Sequence, residues 1–356
     1  MLKVFHLKFT APLHISNVRE DYAQSNRRIH SDTLYSAIIQ VWAWLGKSAN
    51  LAGFVENSRS PNFTLSSLFP YTQSITTNNS SKTVYFLPRP LKSFDLTPTV
   101  IHEFKGKMKL LKEIEWLDVA TYTEQIQQAK GYTPKRQEVQ QIYLSKDTIN
   151  TNFLDSQIIP HVSIPRDGGD ANPFYVEQLR FASNSGLYGI FEGSETDFAD
   201  FKVAMNLLQD EGIGTDKSMG YGRFEFSIAD ETTTQQFKTL FQQTETHTYY
   251  TNLSLYNPES YSSLLEMLPQ NDPNVGFEWI KRGGWITSFP YMTKRKKSIY
   301  MFAEGSIFKS NTPLTEHGFC RDVKPAIISA NEHPIWRVGK SLFVPILFPS
   351  PSSKNL

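Results

Sequence analysis

Four glycines fall within eleven residues: Gly212, Gly214, Gly220 and Gly222, in the run Gly212-Ile213-Gly214-Thr215-Asp216-Lys217-Ser218-Met219-Gly220-Tyr221-Gly222-Arg223. They form two Gly-X-Gly units separated by five residues. Upstream, Phe198, Phe201, Ala204, Met205 and Leu208 recur at helical spacing and predict a helix over about 197–209. Downstream, Arg223–Ile228 reads as a strand. Glycine permits positive φ and leaves no side chain in the way, so successive amides can converge on a phosphate. Lys217 and Arg223 would add charge there, and Ser218 a hydroxyl donor. The same glycines also suit a loop that merely relieves backbone strain, and spacing alone does not choose between the two. A Rossmann fingerprint is excluded, because these glycines follow a helix and precede a strand. A Walker motif is excluded because Gly-Lys-Ser/Thr is missing.

The rest of the chain supplies further elements of the same kinds. Residues 2–10 alternate apolar and polar and predict a first strand, with Leu2, Val4 and Leu7 or Phe9 as apolar faces. Ser31 to Leu45 predicts a helix: Ser31 and Asp32 offer an N-cap oxygen, and Leu34, Ala37, Ile38, Val41, Trp42 and Leu45 share one face before Gly46. Thr83–Leu87 predicts a short strand closed by Pro88 and Pro90. Phe174–Phe181 and Leu187–Phe191 flank Ser183-Asn184-Ser185-Gly186, a hairpin signal. The order strand, helix, two strands, helix, strand is the ferredoxin-like pattern.

Residues 91–170 lack a sustained apolar period and read as an insertion, with the basic stretch Lys105–Lys112 and the turn Asp167-Gly168-Gly169. Residues 231–247 are rich in Thr and Gln and suit a linker. A second mixed unit follows over 248–350. It has strand signals at Tyr249–Tyr256, Phe277–Ile286, Ser298–Phe308 and Ser341–Phe348, and a helix signal at Pro258–Leu268. Residues 351–356 are expected as a mobile tail. The expected fold class is α+β, with an N-terminal unit over 1–230 and a C-terminal one over 248–350.

Three groups of residues carry a resemblance. The double Gly-X-Gly before a terminal strand resembles the glycine-rich loop of the RAMP superfamily, the ferredoxin-like RNA-binding proteins of CRISPR systems. His30-Ser31-Asp32-Thr33-Leu34 is similar to the element that opens the first helix in the family of the fourth Csm subunit of type III-A effector complexes. Arg282-Gly283-Gly284-Trp285, followed by Arg295-Lys296-Lys297-Ser298-Ile299-Tyr300-Met301-Phe302-Ala303-Glu304-Gly305-Ser306, resembles that family's C-terminal signature, with His333-Pro334 and Gly339-Lys340 beyond it. The resemblance implies two ferredoxin-like (RRM-like) domains, the first with a long insertion between its helices. It implies a subunit without nuclease activity of its own that holds the 5′ repeat-derived tag of the guide CRISPR RNA. The partners so implied are the large polymerase-like subunit and the stacked backbone RAMP subunits.

On this reading the RNA-facing residues are His14, Arg19, Arg27, Arg28, His30 and Ser31, together with Gly212, Gly214, Lys217, Ser218, Gly220, Gly222 and Arg223. Arginine in the loop after the first strand can pair with a phosphate or stack on a base. Arg282, Trp285, Arg295, Lys296 and Lys297 are expected to contact RNA or a partner. A basic run is equally a solvated face, and Trp285 equally a core residue. An enzymatic alternative assigns His14 or His30 as general acid or base of a metal-independent endoribonuclease. Asp32 reads as a helix cap and Asp21 as a loop carboxylate.

Composition sets the outer limits. The 36 basic and 35 acidic residues leave a formal charge of +1, so any nucleic-acid contact must come from local patches. A single cysteine, Cys320, excludes an intramolecular disulfide and fits a reducing cytoplasm. No spacing of His, Cys, Asp and Glu suggests a metal site, and no cofactor is expected. No apolar stretch approaches the ~18 residues of a membrane span, and Lys3, His6 and Lys8 argue against a secretory leader.

Overall fold

The computed structural model describes residues 1–15, 25–47, 61–75, 82–164, 170–242, 248–314, 316–329 and 332–349. Arg19, Asp21, the Asp167-Gly168-Gly169 turn and the 351–356 tail lie outside the described residues.

The N-terminal elements are β1 (Leu2–Phe9), α1 (Ser31–Trp44), β2 (Thr64–Leu65), β3 (Phe69–Gln73) and β4 (Thr83–Pro88). Next come α2 (Pro98–Glu103), α3 (Lys109–Lys112), β5 (Trp116–Asp118), α4 (Val119–Gln127), β6 (Val139–Gln140) and β7 (Tyr143–Leu144). They are followed by β8 (Leu154–Ser163), β9 (Asn172–Phe181), β10 (Gly186–Glu192), α5 (Glu195–Glu211), β11 (Phe224–Ile228) and α6 (Glu231–Lys238). Among the described residues, nine strands join one sheet in the order β11-β1-β10-β3-β4-β5-β7-β6, with β2 on β10. All neighbours are antiparallel except β5 and β7.

Both faces of β1 are buried: Leu2 and Val4 on one, Phe5, Leu7 and Phe9 on the other. Helices cover the two faces. Phe201 of α5 lies 4.9 Å from Phe5, ring centre to ring centre. Phe237 of α6 packs edge-on against Tyr85 and close to Tyr188. The first part of the Thr- and Gln-rich stretch therefore holds a helix whose single large apolar residue, Phe237, closes the second face. Ser194 caps α5 by accepting from the Asp197 amide, and the five residues expected on its inner face are all buried.

One local expectation is overturned. The strand over 172–181 does not pair with 186–192. It pairs with β8 over ten residues as a separate two-stranded ribbon, while β10 lies between β1 and β3. A turn signal reports a reversal of the chain, not the strand chosen as neighbour. Residues 91–170 extend the main sheet through strands of two or three residues, too short to leave a periodic signal, and bury Phe104, Trp116 and Tyr122 in the common core.

The C-terminal part contains β12 (Tyr249–Asn252), α7 (Tyr261–Met267), β13 (Trp279–Arg282), β14 (Ile299–Phe302), β15 (Ile307–Lys309), β16 (Glu316–His317), β17 (Cys320–Asp322), β18 (Trp336–Val338) and β19 (Ser341–Ile346). A second sheet runs β15-β12-β19-β16, and β13–β14 and β17–β18 form two small pairs. Its far side packs Tyr250, Tyr256, Phe302, Phe308 and Phe343 together. Its near side, Leu253, Ile307, Leu342 and Val344, belongs to the same apolar core as the first sheet. The junction is also hydrogen-bonded: the Ser67 amide donates to Leu253 O, and the Leu255 amide to Ser31 Oγ. Among the described residues no helix is long and apolar enough to cross a membrane.

Candidate nucleic-acid interface

The glycine loop is stapled to the segment after β1. Gly212, at φ 81°, ends α5 with its amide on Leu208 O. The Ile213 amide donates to Gly222 O, the Gly222 amide to Pro12 O, and the Thr215 amide to His14 O. These donors are used within the protein, so they do not form a phosphate cradle. Gly222 is obligatory for steric reasons, since a Cβ there would stand 1.9 Å from Ile213 O. Gly214 sits against the His14 carbonyl, where a Cβ would stand 2.6 Å away. Gly220 is different. It has φ 85° and open space where its side chain would be. Around it the loop presents the exposed Ser218 and Arg223 and the half-buried Lys217, whose Nζ lies 5.8 Å over the exposed Trp44 ring. Burial lowers the Lys217 pKa.

Segment 12–15 carries this edge onward. Leu13 bridges to Leu179, and the Ile15 amide and carbonyl bind Ser25 Oγ and the Asn26 amide at 3.0 and 2.9 Å. Arg27 is exposed beside Tyr143. The Arg28 guanidinium lies 4.6 Å over Trp116. Arg28 opens onto a cleft of about 620 Å³ between the two parts of the chain, lined among others by Asn26, Arg89, Lys112, Glu278 and Glu304. Glycine loop, segment 12–15 and the Arg27–Arg28 loop thus form one continuous rim.

Several expected contact residues are instead internal. His14 is fully buried with Nδ1 2.7 Å from Glu177 O. His30 is buried with Nδ1 2.8 Å from Glu304 Oε1 and Nε2 3.0 Å from Asn26 Nδ2. Ser31 is buried and accepts the Leu255 amide. Asp32 does not cap α1. The N-cap is His30, which makes no side-chain cap bond. Asp32 is fully buried and accepts from Arg282 Nε at 3.0 Å, from Arg282 Nη2 at 2.9 Å and from Arg337 Nη1. Burial would raise its pKa, but the Arg282 and Arg337 charges outweigh that and hold the carboxyl well below its usual range. Arg282 is therefore a junction residue and is closed to RNA. In the basic run, Arg295 and Lys297 are exposed and Lys296 turns inward. Trp285 is half-buried with the Arg295 guanidinium 5.3 Å over its ring.

Sequence reading did not single out Arg337, Glu304 or Lys92. Only Arg337 lies between apolar neighbours, Trp336 and Val338, and carries a local signal. Lys92 is nearly buried and donates to Gln128 O and Leu347 O at 2.6 and 2.5 Å, and burial lowers its pKa to about 8. Among the described residues no three His, Cys, Asp or Glu side chains group as metal ligands.

The Glu304 cluster gives an acid-stability prediction. Burial pushes the Glu304 carboxyl up, but His30, Arg28 and a Ser67 hydrogen bond outweigh burial and bring it from 4.5 to about 2. A folded-state pKa below the unfolded one stabilises above pH 4.5, and that contribution is lost as pH falls towards 2. Glu304→Gln should therefore flatten the dependence of melting temperature on pH between about 4.5 and 2. An unchanged acid slope would show that the pair does not contribute.

Comparison with known proteins decides the family. The RAMP superfamily model matches residues 6–225, more than half of the chain. The chain belongs to the RAMP superfamily. Residues 245–346 match the model described as the CRISPR Csm4 C-terminal domain, so the two matches together span nearly the whole sequence. A Csm4 protein of Thermococcus onnurineus is 28% identical over 287 residues, covering 79% of this chain and 82% of its own length. The Csm4 protein of Streptococcus thermophilus is 25% identical, covering 88% and 89%. The fold resembles a chain in the crystal structure of a Csm3-Csm4 subcomplex of the type III-A CRISPR-Cas interference complex, with TM-score 0.58, 20% identity, and 97% of this chain and 99% of that chain covered. A second likeness is to a chain in a Csm1-Csm4 cassette in complex with cA4, with TM-score 0.54 and 18% identity.

Proposed function

We propose that this RAMP protein is a non-catalytic RNA-binding subunit of a type III CRISPR effector complex. It anchors the 5′ tag of the guide RNA and joins the large subunit to the backbone subunits. The Csm4 relatives and the likeness to chains of the Csm3-Csm4 and Csm1-Csm4 structures support the subunit role and the two partners. The observation that carries the RNA reading is the continuous rim, on which Arg27 and Arg223 are exposed and Lys217 and Arg28 half-buried, Arg28 also pairing with Glu304 at 3.4 Å. We read the first sheet as ferredoxin-like, supported by the order β11-β1-β10-β3 with α1 after β1 and α5 after β10. The second is read the same way on fewer elements, since only α7 accompanies its strands among the described residues.

Burial of His14 and His30 argues against the endoribonuclease alternative, because a general acid or base must reach the proton it moves. Two measurements test the proposal. Alanine at each of Lys217, Arg223, Arg27 and Arg28 should flatten the slope of log affinity for guide RNA against log salt by about 0.7, as for one lost phosphate contact on a single strand. Unchanged slopes in all four would place the RNA elsewhere. Defined fragments from labelled repeat RNA incubated without metal would overturn the non-catalytic assignment.

A further inference from the structure

The C-terminal part carries an open groove of about 570 Å³ between the segment that leads into α7 and the β13–β14 pair. Its walls are aromatic. In the β13–β14 register Trp279 stands opposite Phe302 and Lys281 opposite Tyr300, so Trp279, Lys281 and Tyr300 share one face. Trp279 is 53% exposed and Tyr300 58%, with ring centres 6.1 Å apart and planes tilted by 44°. Phe302 meets the Trp279 ring edge-on at 5.5 Å and fixes its position. Tyr261, the first residue of α7, also lines the groove and is 74% exposed. A cluster of large rings left this open marks a surface that another molecule covers.

Charge decides the chemistry of that molecule. Two carboxylates line the groove, Glu259 and Asp322, with one cation, Arg321. Arg321 is committed to the protein itself. Its Nε donates to Asn257 Oδ1 at 2.8 Å, and its Nη2 to Pro258 O at 2.5 Å and Glu259 O at 2.8 Å. Asp322 accepts the Lys324 and Ile335 amides on Oδ1, at 2.9 and 3.0 Å. Both carboxylate residues are exposed, and neither forms an ion pair among the described residues. Aromatic faces and carboxylates in one groove attract a cation together, the rings by their quadrupole and the carboxylates by their charge. The same carboxylates repel a phosphate. Lys281, the exposed cation on the shared face, lies outside the lining.

We infer that this groove docks an arginine side chain presented by a protein partner. A guanidinium is planar, so it stacks on an aromatic face and keeps its edge donors for a carboxylate, which an ammonium does not do. A single contact of this kind at an exposed site changes affinity by about five-fold, too little to hold a free cation. The arginine is therefore an anchor within a larger interface, where Trp, Tyr and Arg concentrate binding energy. None of this rests on the guide-RNA reading.

The test measures retention of the full chain on a column bearing a glycine-serine peptide with one central arginine, at about 50 mM NaCl to limit screening. The reference column carries the same peptide with citrulline, which keeps the shape and loses the charge. The unaltered protein should be retained more on arginine, and Trp279→Leu should cut that excess about five-fold. Tyr261→Ala should also reduce it, and this ring touches no other, so the groove stays testable if Trp279→Leu disturbs Phe302. Both variants should melt where the unaltered protein does. Glu259→Gln combined with Asp322→Asn should remove the preference for arginine over citrulline. Equal retention on the two columns, or an undiminished excess in both ring variants, would overturn the inference. Stronger retention on an oligouridylate column, lost in Tyr261→Ala, would overturn it in favour of single-stranded RNA.

Discussion

Asp32→Asn is expected to lower the unfolding free energy by about 3–5 kcal/mol, the cost of leaving buried charges without their counter-charge. The substitution keeps the shape of the side chain and removes only its charge. Arg282 and Arg337, both nearly buried, would then face each other and Lys296 across a neutral amide. Neither guanidinium can respond by losing its proton. The loss should fall on the junction, because Asp32 belongs to α1 whereas Arg282 and Arg337 belong to β13 and β18. A control separates charge from packing: replacing Asp32, Arg282 and Arg337 together by apolar residues of similar volume should cost less than Asp32→Asn alone. Denaturant unfolding of the variants measures both. A loss below about 1 kcal/mol in Asp32→Asn, the size of an ordinary exposed pair, would remove the network from the forces holding the two parts together.

The same residue shows where sequence reading stops. A cap oxygen is a local signal, and Ser31-Asp32 before an apolar period carries it fully. The ion pairs that occupy Asp32 span 250 and 305 positions and leave no spacing to detect. Local periodicity is sufficient for α1, α5 and β1, whose inner faces are long enough to repeat. It failed for β6 and β7, two residues each, and for α6, where Thr and Gln surround the one anchoring phenylalanine. The hairpin between 174 and 191 was misread for a related reason: both flanking stretches are strands, but each chose a partner far from the turn. At the candidate site, the sequence marked a loop and two arginines, Arg27 and Arg28, that the structure places along one rim. It did not separate the glycines whose amides are used internally from Gly220, because that distinction depends on the Pro12 and His14 carbonyls about 200 residues earlier (Thr215 to His14, a separation of 201).

That distinction makes the second large effect. Gly222→Ala is expected to destabilise by roughly 2–5 kcal/mol, combining the left-handed backbone cost with overpacking. At φ 72° its Cβ would meet the Ile213 carbonyl at 1.9 Å, and the obstacle is backbone, which cannot rotate aside. Relief requires the Gly222 amide to leave Pro12 O or the Ile213 amide to leave Gly222 O, and either opens the staple that positions segment 12–15. Gly220→Ala, at φ 85° in open space, bears the conformational cost alone, about 1–2 kcal/mol. Thermal unfolding should rank the two in that order. Guide-RNA affinity should follow a different logic. Gly222→Ala shifts Arg27 and Arg28 by releasing the segment they extend from, whereas Gly220→Ala adds a methyl group directly on the exposed rim beside Lys217 and Ser218. Both should weaken RNA retention, but only Gly222→Ala should do so together with a large fall in melting temperature. Equal stability of the two variants would mean that the loop absorbs the Gly222 clash, and the staple would then not be what holds the rim in place.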